Sequence, residues 1–402
     1  MKVEIFTNNF LPRISGVAVA VNFLNTALNK AGHQTMIVAP DYGYGRRIRG
    51  IEVFRVRSLY LKPKRVAMPF ANVDEPAIRE VTDNWAPDLI HSHHPFGLGN
   101  AALEMADSRQ VPLVYTFHTL YDFFAHYLFL DTEKVRKAVR DYVVRYANRC
   151  DLVITPTEPI KEHLRKEGVT TRIEAVPTGI DFSRFQKVKD EQVEEFRKEH
   201  GLTRFDKVLL NVGRISREKN VYLALSALKE LTERGKNYCL LFVGDGPEKD
   251  GLADQAEEWG ISDRLIWGGF LDQDSLAGAY FAGDVFLFPS MSDTQGIVLY
   301  EAEAAGLPIV ATDSMASRAE LREGENGLFA ENDPHDFADK IEEVLSSPED
   351  YTADFDTDAF SAEELGRTYD RLYREVLARG RQPEPEDNTI FSRLLDEIKE
   401  LI

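Results

Sequence analysis

The feature that most constrains this chain is an alternation, along its whole length, between short apolar runs and helix-length stretches. In the first half the apolar runs are KVEIFT, TMIVAP, LIHSHH, LVYTFH and LVITPT. In the second half they are KVLLNVG, YCLLFVGDG, RLIWGG, VFLFPS and LPIVAT. Strands that are apolar on both faces belong to parallel sheets covered by helices on each side. The sequence therefore predicts an α/β chain.

The stretches between these runs carry helical periodicity and helix end signals. VAVAVNFLNTALNKAG stops at Gly32 and VYLALSALKELTERG stops at Gly235, and glycine commonly ends helices. Thr132–Arg149 and Ala362–Ala378 are further predicted helices, the second with Ser361 as its N-cap. TIFSRLLDEIKELI, at the end of the chain, is predicted to form a short amphipathic helix.

The length of 402 residues exceeds one ordinary domain. We predict an N-terminal Rossmann-like domain over residues 1–185, a C-terminal Rossmann-like domain over 186–361, and C-terminal helices over 362–402 that cross back toward the first domain. Doubly wound sheets bind ligands at the carboxyl ends of their strands. Two such domains in tandem are expected to face a central cleft, with function in the strand-to-helix loops.

Composition narrows the function classes. No run of 18 apolar residues spans a bilayer, and MKVEIFTNNF lacks the apolar core of a signal peptide. Two distant cysteines, Cys150 and Cys239, argue against a disulfide framework and fit a reducing cytoplasm. The net charge of −19 makes duplex DNA or other nucleic acid an unlikely partner.

The charge is divided unequally between the halves. Residues 1–190 hold 26 Lys+Arg and 21 Asp+Glu, a charge of +5, so the remainder carries −24. Either the two halves face different partners, or the acidic half is simply a soluble surface.

Two loops have the residues to bind phosphate. RISG, Arg13–Gly16, precedes a helix, where a glycine lets backbone amides approach an anion, although most such glycines are only turns. NVGRISREKN brings Arg214 and Lys219 to a strand end, where a guanidinium and an ammonium suit a diphosphate. The alternative for this loop is a solvated charged surface.

The segment SDTQGIVLYEAEAAGLPIVATD forms a third loop and the helix after it. Thr294, Gln295 and Gly296 stand just before a helix predicted to begin near Ile297, where amides attract phosphate. Asp293 and Glu301 could accept hydrogen bonds from sugar hydroxyls, as acidic residues do with ribose. The spacing suits a nucleotide-sugar. The alternative is helix-charge stabilisation by Asp293 and a partly exposed Glu301.

The histidines raise the question of a metal. His91, His93 and His94 are close in sequence, but no carboxylate or cysteine follows at ligand spacing, so we expect no metal site. His118, at the end of the strand LVYTF, is the better candidate for contact with a sugar or acceptor.

Taken in order, these motifs resemble the retaining glycosyltransferases of the GT-B fold, in family 4. The resemblance covers nearly the whole chain. It is carried by RISGVA, HSHHPFGLG, TFHTLYDFFAHYL, VPTGID, VGRISREKN, FVGDGP, GGFL and the segment from Ser292 to Asp313.

The resemblance implies a role for each site residue. Gly16 would lie beside the donor diphosphate, which Arg214 and Lys219 would bind. Gly269 and Phe270 would line the nucleobase pocket. The remaining roles are ribose binding by Glu301, binding of the transferred sugar by Asp293, contacts to sugar and phosphate by Thr294, Gln295 and Gly296, and contact with the reacting sugar or acceptor by His118. No cofactor and no metal are implied, because the nucleotide-sugar is a substrate.

One position departs from the family. The usual pattern is Glu-x7-Glu, and Asp293 stands at its first position. The departure bears on donor identity more than on reaction class. We hypothesise retention without a covalent enzyme intermediate, in which the departing phosphate helps to deprotonate the acceptor.

The acceptor is expected to be a lipid. HSHHPFGLG and FHTLYDFFAHYL look most like the branch that moves glucose, here from UDP-glucose, to 1,2-diacylglycerol. Arg55–Arg65 and Lys134–Arg149 interleave basic and aromatic residues, as at an anionic membrane surface, or else form an ordinary helix face with core aromatics. We expect a cytoplasmic protein peripheral to the inner face of the plasma membrane.

Two alternatives stay open: a transferase with a soluble sugar, polyol or small-molecule acceptor, and a catalytically weak nucleotide-sugar-binding protein. The base, uracil or guanine, and the sugar are also open.

Overall fold

The computed structural model describes residues 1–13, 15–42, 48, 50–57, 75–121 and 132–382. The chain divides into two compact units. The first comprises Met1–Ile180 together with the described residues from Asp358 onward, and the second comprises Asp181–Thr357.

The first unit is built on a parallel sheet. In the described part of the chain its strands are β1 Lys2–Phe6, β2 Gln34–Pro40, β3 Val53–Val56, β4 Leu89–Ser92, β5 Leu113–Thr116, β6 Leu152–Thr155 and β7 Ile173–Ala175. Their order is β3-β2-β1-β4-β5-β6-β7, and every neighbouring pair is parallel. The order therefore reverses between β1 and β4.

Helices connect these strands: α1 Gly16–Lys30, α2 Glu75–Trp85, α3 Leu98–Arg109, α4 Glu133–Asn148 and α5 Glu158–Lys166. Side-chain caps fix where two of them begin. Ser15 Oγ accepts a hydrogen bond from Ala18 N at 3.2 Å, and Thr132 Oγ1 accepts one from Val135 N at 3.3 Å. Each cap satisfies a backbone donor that the first turn of a helix leaves open.

The second unit repeats the scheme. Its strands are β8 Lys207–Val212, β9 Tyr238–Val243, β10 Leu265–Gly269, β11 Val285–Phe288, β12 Ile309–Thr312 and β13 Gly327–Ala330, in the parallel order β10-β9-β8-β11-β12-β13. Its helices are α6 Asp190–Glu199, α7 Val221–Glu233, α8 Lys249–Glu258, α9 Gln273–Ala282, α10 Ile297–Ala304, α11 Ser317–Glu320 and α12 Pro334–Ser346. The order reverses between β8 and β11.

The last described helix, α13 Ala362–Arg379, belongs to the core of the first unit. Its N-cap Ser361 Oγ accepts a hydrogen bond from Glu364 N at 3.2 Å, as the sequence predicts. Leu372 and Tyr373 pack into the cluster that contains α1. At Gly366 a Cβ atom would lie 2.7 Å from Ala27 O, so the close approach of α13 to α1 requires a glycine.

The prediction of two parallel α/β sheets is confirmed. Each predicted apolar run forms a strand, and the helices ending near Gly32 and Gly235 are present. Three strands, β3, β7 and β13, were not predicted, and all three lie at sheet edges. The predicted helix TIFSRLLDEIKELI and most of the basic segment Arg55–Arg65 lie outside the described residues.

Candidate functional site

The predicted donor residues of the second unit lie around the point where the strand order reverses. β8 and β11 are neighbours in the sheet, and the loops after them lie side by side at its carboxyl edge. The first loop carries Arg214 and Lys219, and the second carries residues 293–296. In doubly wound sheets this crevice is the usual ligand position.

The loop after β8 depends on glycines. Gly213 has a φ of +146°, which favours glycine. A Cβ atom on Gly244, in the loop after β9, would lie 1.9 Å from Gly213 O. The loops after β8 and β9 can therefore approach this closely only because residue 244 has no side chain. Arg214 follows directly and is exposed, and its guanidinium makes no ion pair with any residue the structure describes. It is therefore open to an anionic ligand.

Lys219 and Asp293 meet across the two loops. Lys219 Nζ forms an ion pair with Asp293 Oδ1. Two further hydrogen bonds join the same loops: Ser292 Oγ donates to Glu218 O at 2.8 Å, and Asn220 Nδ2 donates to Pro289 O at 3.1 Å. The structure thus joins two residues that the sequence analysis placed on different parts of the donor.

The residues before α10 are more buried than a surface loop. Thr294 and Gln295 are buried, and α10 begins at Ile297 as predicted. A Cβ atom on Gly296 would lie 2.6 Å from Leu299 Cδ1 and 3.2 Å from Phe288 Cζ. Gly296 therefore has a packing role that is independent of any ligand.

Glu301 is buried, and each of its carboxylate oxygens has a protein partner. Only 6 % of the residue is exposed, so the alternative of a partly exposed Glu301 is wrong. Arg184 forms an ion pair with Oε1, and the Tyr280 hydroxyl donates to Oε2 at 2.7 Å. Burial raises the pKa of Glu301, while the Arg184 charge and the hydrogen bonds from Tyr280 and Arg184 oppose that rise.

Gly269 is the last residue of β10, and Phe270 follows it. Gly269 has a φ of +68°, and its carbonyl accepts a hydrogen bond from Gly244 N at 2.8 Å. Phe270 is 68 % exposed, which is unusual for a phenylalanine and leaves its ring open to stack on a planar ligand.

Gly16 and His118 lie in the first unit. Gly16 is the first residue of α1, and a Cβ atom there would meet nothing within 4 Å. The fold itself therefore does not require a glycine at this position.

His118 follows β5 and is paired with another histidine. Its Nε2 lies 2.8 Å from His93 Nδ1, and the two rings stack with their centroids 5.1 Å apart. His91 is hydrogen bonded at 2.7 Å on each side, to the Tyr373 hydroxyl and to Thr116 Oγ1.

Burial favours the neutral form of these histidines. Burial lowers the pKa of His118 to about 4. Burial and the charge of His118 lower those of His91 and His94 to about 3. Burial and three neighbouring histidines place that of His93 well below its usual value. Among the residues the structure describes, no group of three or more His, Cys, Asp and Glu side chains is arranged to hold a metal ion.

Three residues of this arrangement were not predicted: Arg184, Tyr280 and His93. Each of these residues contacts a partner on a separate element, so the two residues are too far apart in the sequence to form a recognisable motif. His93 alone had a signal, since it follows a buried strand in the same way as His118.

Two sequence families match this chain. "Glycosyltransferase Family 4" matches residues 14–184, and "Glycosyl transferases group 1" matches residues 192–359. D-inositol 3-phosphate glycosyltransferase of Corynebacterium jeikeium is 30 % identical over 305 residues, which cover 71 % of this chain and 72 % of that protein. The chain belongs to the family 4 glycosyltransferases.

Other relatives align with this glycosyltransferase over more of its length. Alpha-monoglucosyldiacylglycerol synthase of Streptococcus pneumoniae is 28 % identical, covering 98 % of this chain and 90 % of the relative. The protein of the same name from Acholeplasma laidlawii is 26 % identical, covering 94 % of this chain and 98 % of the relative.

Solved structures show the fold of this glycosyltransferase to be GT-B. Sucrose-phosphate synthase from Thermosynechococcus elongatus matches with a TM-score of 0.77 at 19 % identity, covering 94 % of this chain and 99 % of that one. Anabaena HepE, in complex with UDP-glucose, matches with a TM-score of 0.71 at 18 % identity, covering 94 % and 100 %.

The aromatic residues of α4 in this glycosyltransferase are core residues. Tyr142 and Tyr146 are fully buried, and their hydroxyls donate to Pro95 O at 2.8 Å and Gly99 O at 2.9 Å. For this helix the alternative of an ordinary helix face with core aromatics is confirmed, and the expectation that its aromatic residues contribute to a membrane-binding surface is wrong. Across the described helices, none combines the length and apolarity needed to cross a membrane.

Proposed function

We propose that this glycosyltransferase moves glucose from UDP-glucose to 1,2-diacylglycerol at a membrane surface, with retention of the anomeric configuration. The observation that carries the donor part is the grouping of Arg214, Lys219 and Asp293 on the two loops beside the strand-order reversal of the second unit. A guanidinium and an ammonium at that position suit a diphosphate, and the adjacent carboxylate suits sugar hydroxyls.

The chemistry follows from these charges. As the bond between the anomeric carbon and the phosphate oxygen breaks, negative charge develops on the leaving diphosphate, and Arg214 and Lys219 stabilise it. The acceptor oxygen bonds to the same face of the anomeric carbon, and its proton passes to the departing phosphate. Asp293 and Glu301 bind hydroxyls in this scheme and do not form the acid and nucleophile pair of a glycosidase.

The lipid acceptor is supported by similarity along the whole chain. Two relatives that align over more than nine-tenths of this chain are named alpha-monoglucosyldiacylglycerol synthase. An α-glucoside made from UDP-glucose, whose glucose is also α-linked, corresponds to retention. We extend the proposal to peripheral attachment on the cytoplasmic side, because a diacylglycerol acceptor stays in the bilayer.

A soluble acceptor is the second candidate. The relative of highest identity among those described above is named for an inositol phosphate acceptor, which is a polyol. The chain's net charge of −19 gives no general attraction to anionic lipid, so attachment would depend on a local surface.

A product screen tests the proposal. The full chain is incubated with UDP-glucose, UDP-galactose or GDP-mannose, together with vesicles containing diacylglycerol and anionic lipid, or with inositol phosphate or free sugars. We expect one product, with the mass of a monoglucosyldiacylglycerol, from UDP-glucose, and an α linkage by NMR. Co-sedimentation with the same vesicles measures attachment.

Other outcomes would replace the proposal. Product from soluble acceptors alone would establish the second candidate. Binding of a nucleotide-sugar with no transfer to any acceptor would leave a nucleotide-sugar-binding protein. A β linkage would overturn retention.

A further inference from the structure

The carboxylate of Glu301 is held at both oxygens by protein groups. Arg184 Nη2 pairs with Oε1, and the Tyr280 hydroxyl donates to Oε2 at 2.7 Å. A carboxylate oxygen has two lone-pair sites, so one partner each leaves capacity for further donors. About 8 % of the Glu301 side chain remains exposed, so the residue is not completely sealed from solvent.

The two groups that hold Glu301 are themselves fixed by packing. The Arg184 guanidinium lies over the Phe185 ring, 5.2 Å from its centroid. The ring of Tyr280 is fully buried, with its centroid 5.8 Å from that of Phe185 and 5.7 Å from that of Phe286 on β11. The Glu301 carboxylate therefore has one position set by two rigid neighbours.

Charge is the second reason that Arg184 matters. Burial favours the protonated form of Glu301 and raises its pKa, and the nearby guanidinium is the largest opposing influence. A protonated carboxyl accepts hydrogen bonds more weakly than a carboxylate. Arg184 thus orients the Glu301 carboxylate and opposes its protonation.

We propose that Arg184 and Tyr280 are positioning residues that hold Glu301 to accept hydrogen bonds from the ribose hydroxyls of the donor nucleotide. This inference rests on the proposed function, in which Glu301 binds the ribose. Neither residue touches the reacting atoms in this scheme, so both act through Glu301.

The same helix provides a matched control. Glu303, two residues further along α10, is also buried and paired with an arginine, Arg322, and it accepts a hydrogen bond from Asn326 Nδ2 at 3.0 Å. Residues two apart on a helix point in different directions. Arg322→Gln therefore removes an arginine from a buried glutamate of α10 without touching Glu301.

The test compares ligands with and without ribose hydroxyls. Calorimetry measures binding of UDP and GDP, and of their 2′,3′-dideoxy forms, to the full chain and to Arg184→Gln, Arg184→Lys, Tyr280→Phe and Arg322→Gln. Thermal unfolding shows whether each variant is folded. If Arg184→Gln does not fold, Tyr280→Phe, which removes only one oxygen atom, still tests the inference.

We expect Arg184→Gln to weaken binding of the ribose form by about tenfold, the loss of roughly one hydrogen bond to a charged group. Tyr280→Phe should lose less, Arg184→Lys should recover part of the loss, and Arg322→Gln should bind as the wild type does. On the dideoxy form none of these changes should matter, because Glu301 has no hydroxyl to bind.

Two results would overturn the inference, and they are distinct. An equal loss on the ribose and dideoxy forms would mean that Arg184 and Tyr280 act only on the fold, while the donor assignment stands. No binding of either ribonucleoside diphosphate by the wild type would overturn the donor assignment and the inference together.

Discussion

Lys219 and Asp293 form an ion pair that joins the loop after β8 to the loop after β11. Their side chains are 31 % and 18 % exposed, so the pair lies near the surface of the carboxyl edge. If Lys219 binds the donor diphosphate, the phosphate competes with Asp293 for the ammonium. Donor binding then exchanges one charge pair for another and frees the carboxylate for sugar hydroxyls.

The first prediction concerns Lys219. In the proposed mechanism Lys219 stabilises the leaving diphosphate, so we expect Lys219→Ala to lower turnover by about 100-fold or more. The measurement is kcat with UDP-glucose. Lys207→Ala is the matched control, because Lys207 Nζ also pairs with an aspartate of this unit, Asp284, at 3.4 Å, but lies at the start of β8. Near-normal turnover in Lys219→Ala would refute the assignment.

The second prediction concerns the departure at Asp293. Asp293→Glu lengthens the side chain by one methylene and moves its carboxylate. If this carboxylate binds the transferred sugar, its oxygens then reach different hydroxyls, so the ratio of kcat/KM for UDP-glucose to that for UDP-galactose should change by about tenfold. Asp293→Asn should instead lower transfer from both donors. An unchanged ratio in Asp293→Glu would mean that this side chain does not bind the transferred sugar.

The third prediction concerns Glu4, which is fully buried in β1. Burial raises its pKa from 4.5 to about 7, against a hydrogen bond from Thr82 Oγ1 at 2.9 Å and the charge of Arg109. A raised carboxyl pKa means that the folded state binds the proton more tightly. Its contribution to stability is full below pH 4.5 and is lost as pH rises through about 7.

Glu4→Gln cannot ionise, so it should unfold at a higher temperature than the wild type at pH 8 and gain less at pH 5. Melting temperatures across this range test the expectation. Glu52→Gln makes the same substitution at an exposed residue and is the control, which should change the melting temperature little. A constant difference between Glu4→Gln and the wild type at all pH values would contradict it.

The fourth prediction concerns the neutral histidines after β4 and β5. A lowered histidine pKa means that the unfolded state binds protons more readily than the folded state. The pKa of His91 is lowered to about 3, so its contribution to stability is present above about pH 6.5 and is lost as pH falls toward about 3. His91→Gln, which can still bond Tyr373 and Thr116, should reduce the slope of unfolding free energy against pH in this window.

The fifth prediction concerns Arg381, after α13. Its guanidinium pairs with Asp107 at 2.6 Å and with Asp151 at 2.7 Å, and the side chains of Arg381 and Asp151 are only 3 % and 2 % exposed. Arg381→Met leaves a buried carboxylate without its cation, so unfolding should cost about 3–5 kcal/mol less.

Denaturant unfolding measures this difference. The control is Arg367→Met, because Arg367 pairs with Glu364 at the exposed surface of α13, where an ion pair contributes little. Equal effects of the two substitutions would show that the Arg381 network is no stronger than a surface pair.

Interior strands of the two sheets are easier to predict from the sequence than edge strands. β1, β8 and β11 lie inside their sheets, so both faces are covered and their largely apolar runs are evident in the sequence. β3 and β13 lie at edges, span four residues each, and include partly exposed positions. An edge strand needs neighbours on one side only, so its apolar signal is weaker.

The candidate site likewise combines features that the sequence predicts with features that it does not. Loops that follow buried strands can be predicted from the sequence. Because a parallel sheet brings the carboxyl ends of its strands to one edge, the sequence predicts that Arg214, Lys219 and Asp293 lie in one region. Their pairing was not predictable. Lys219 with Asp293, Glu301 with Arg184, and His118 with His93 are separated by 74, 117 and 25 residues.

The sequence by itself therefore determined two parallel α/β sheets, the loops that carry the charged residues, and the family, because apolar periodicity and glycine placement are local properties. Tertiary structure alone decided which of those charges are already paired and which carboxylate is buried. A charge's partner depends on which loops the strand order places side by side, and burial depends on the packing of helices that are distant in the chain.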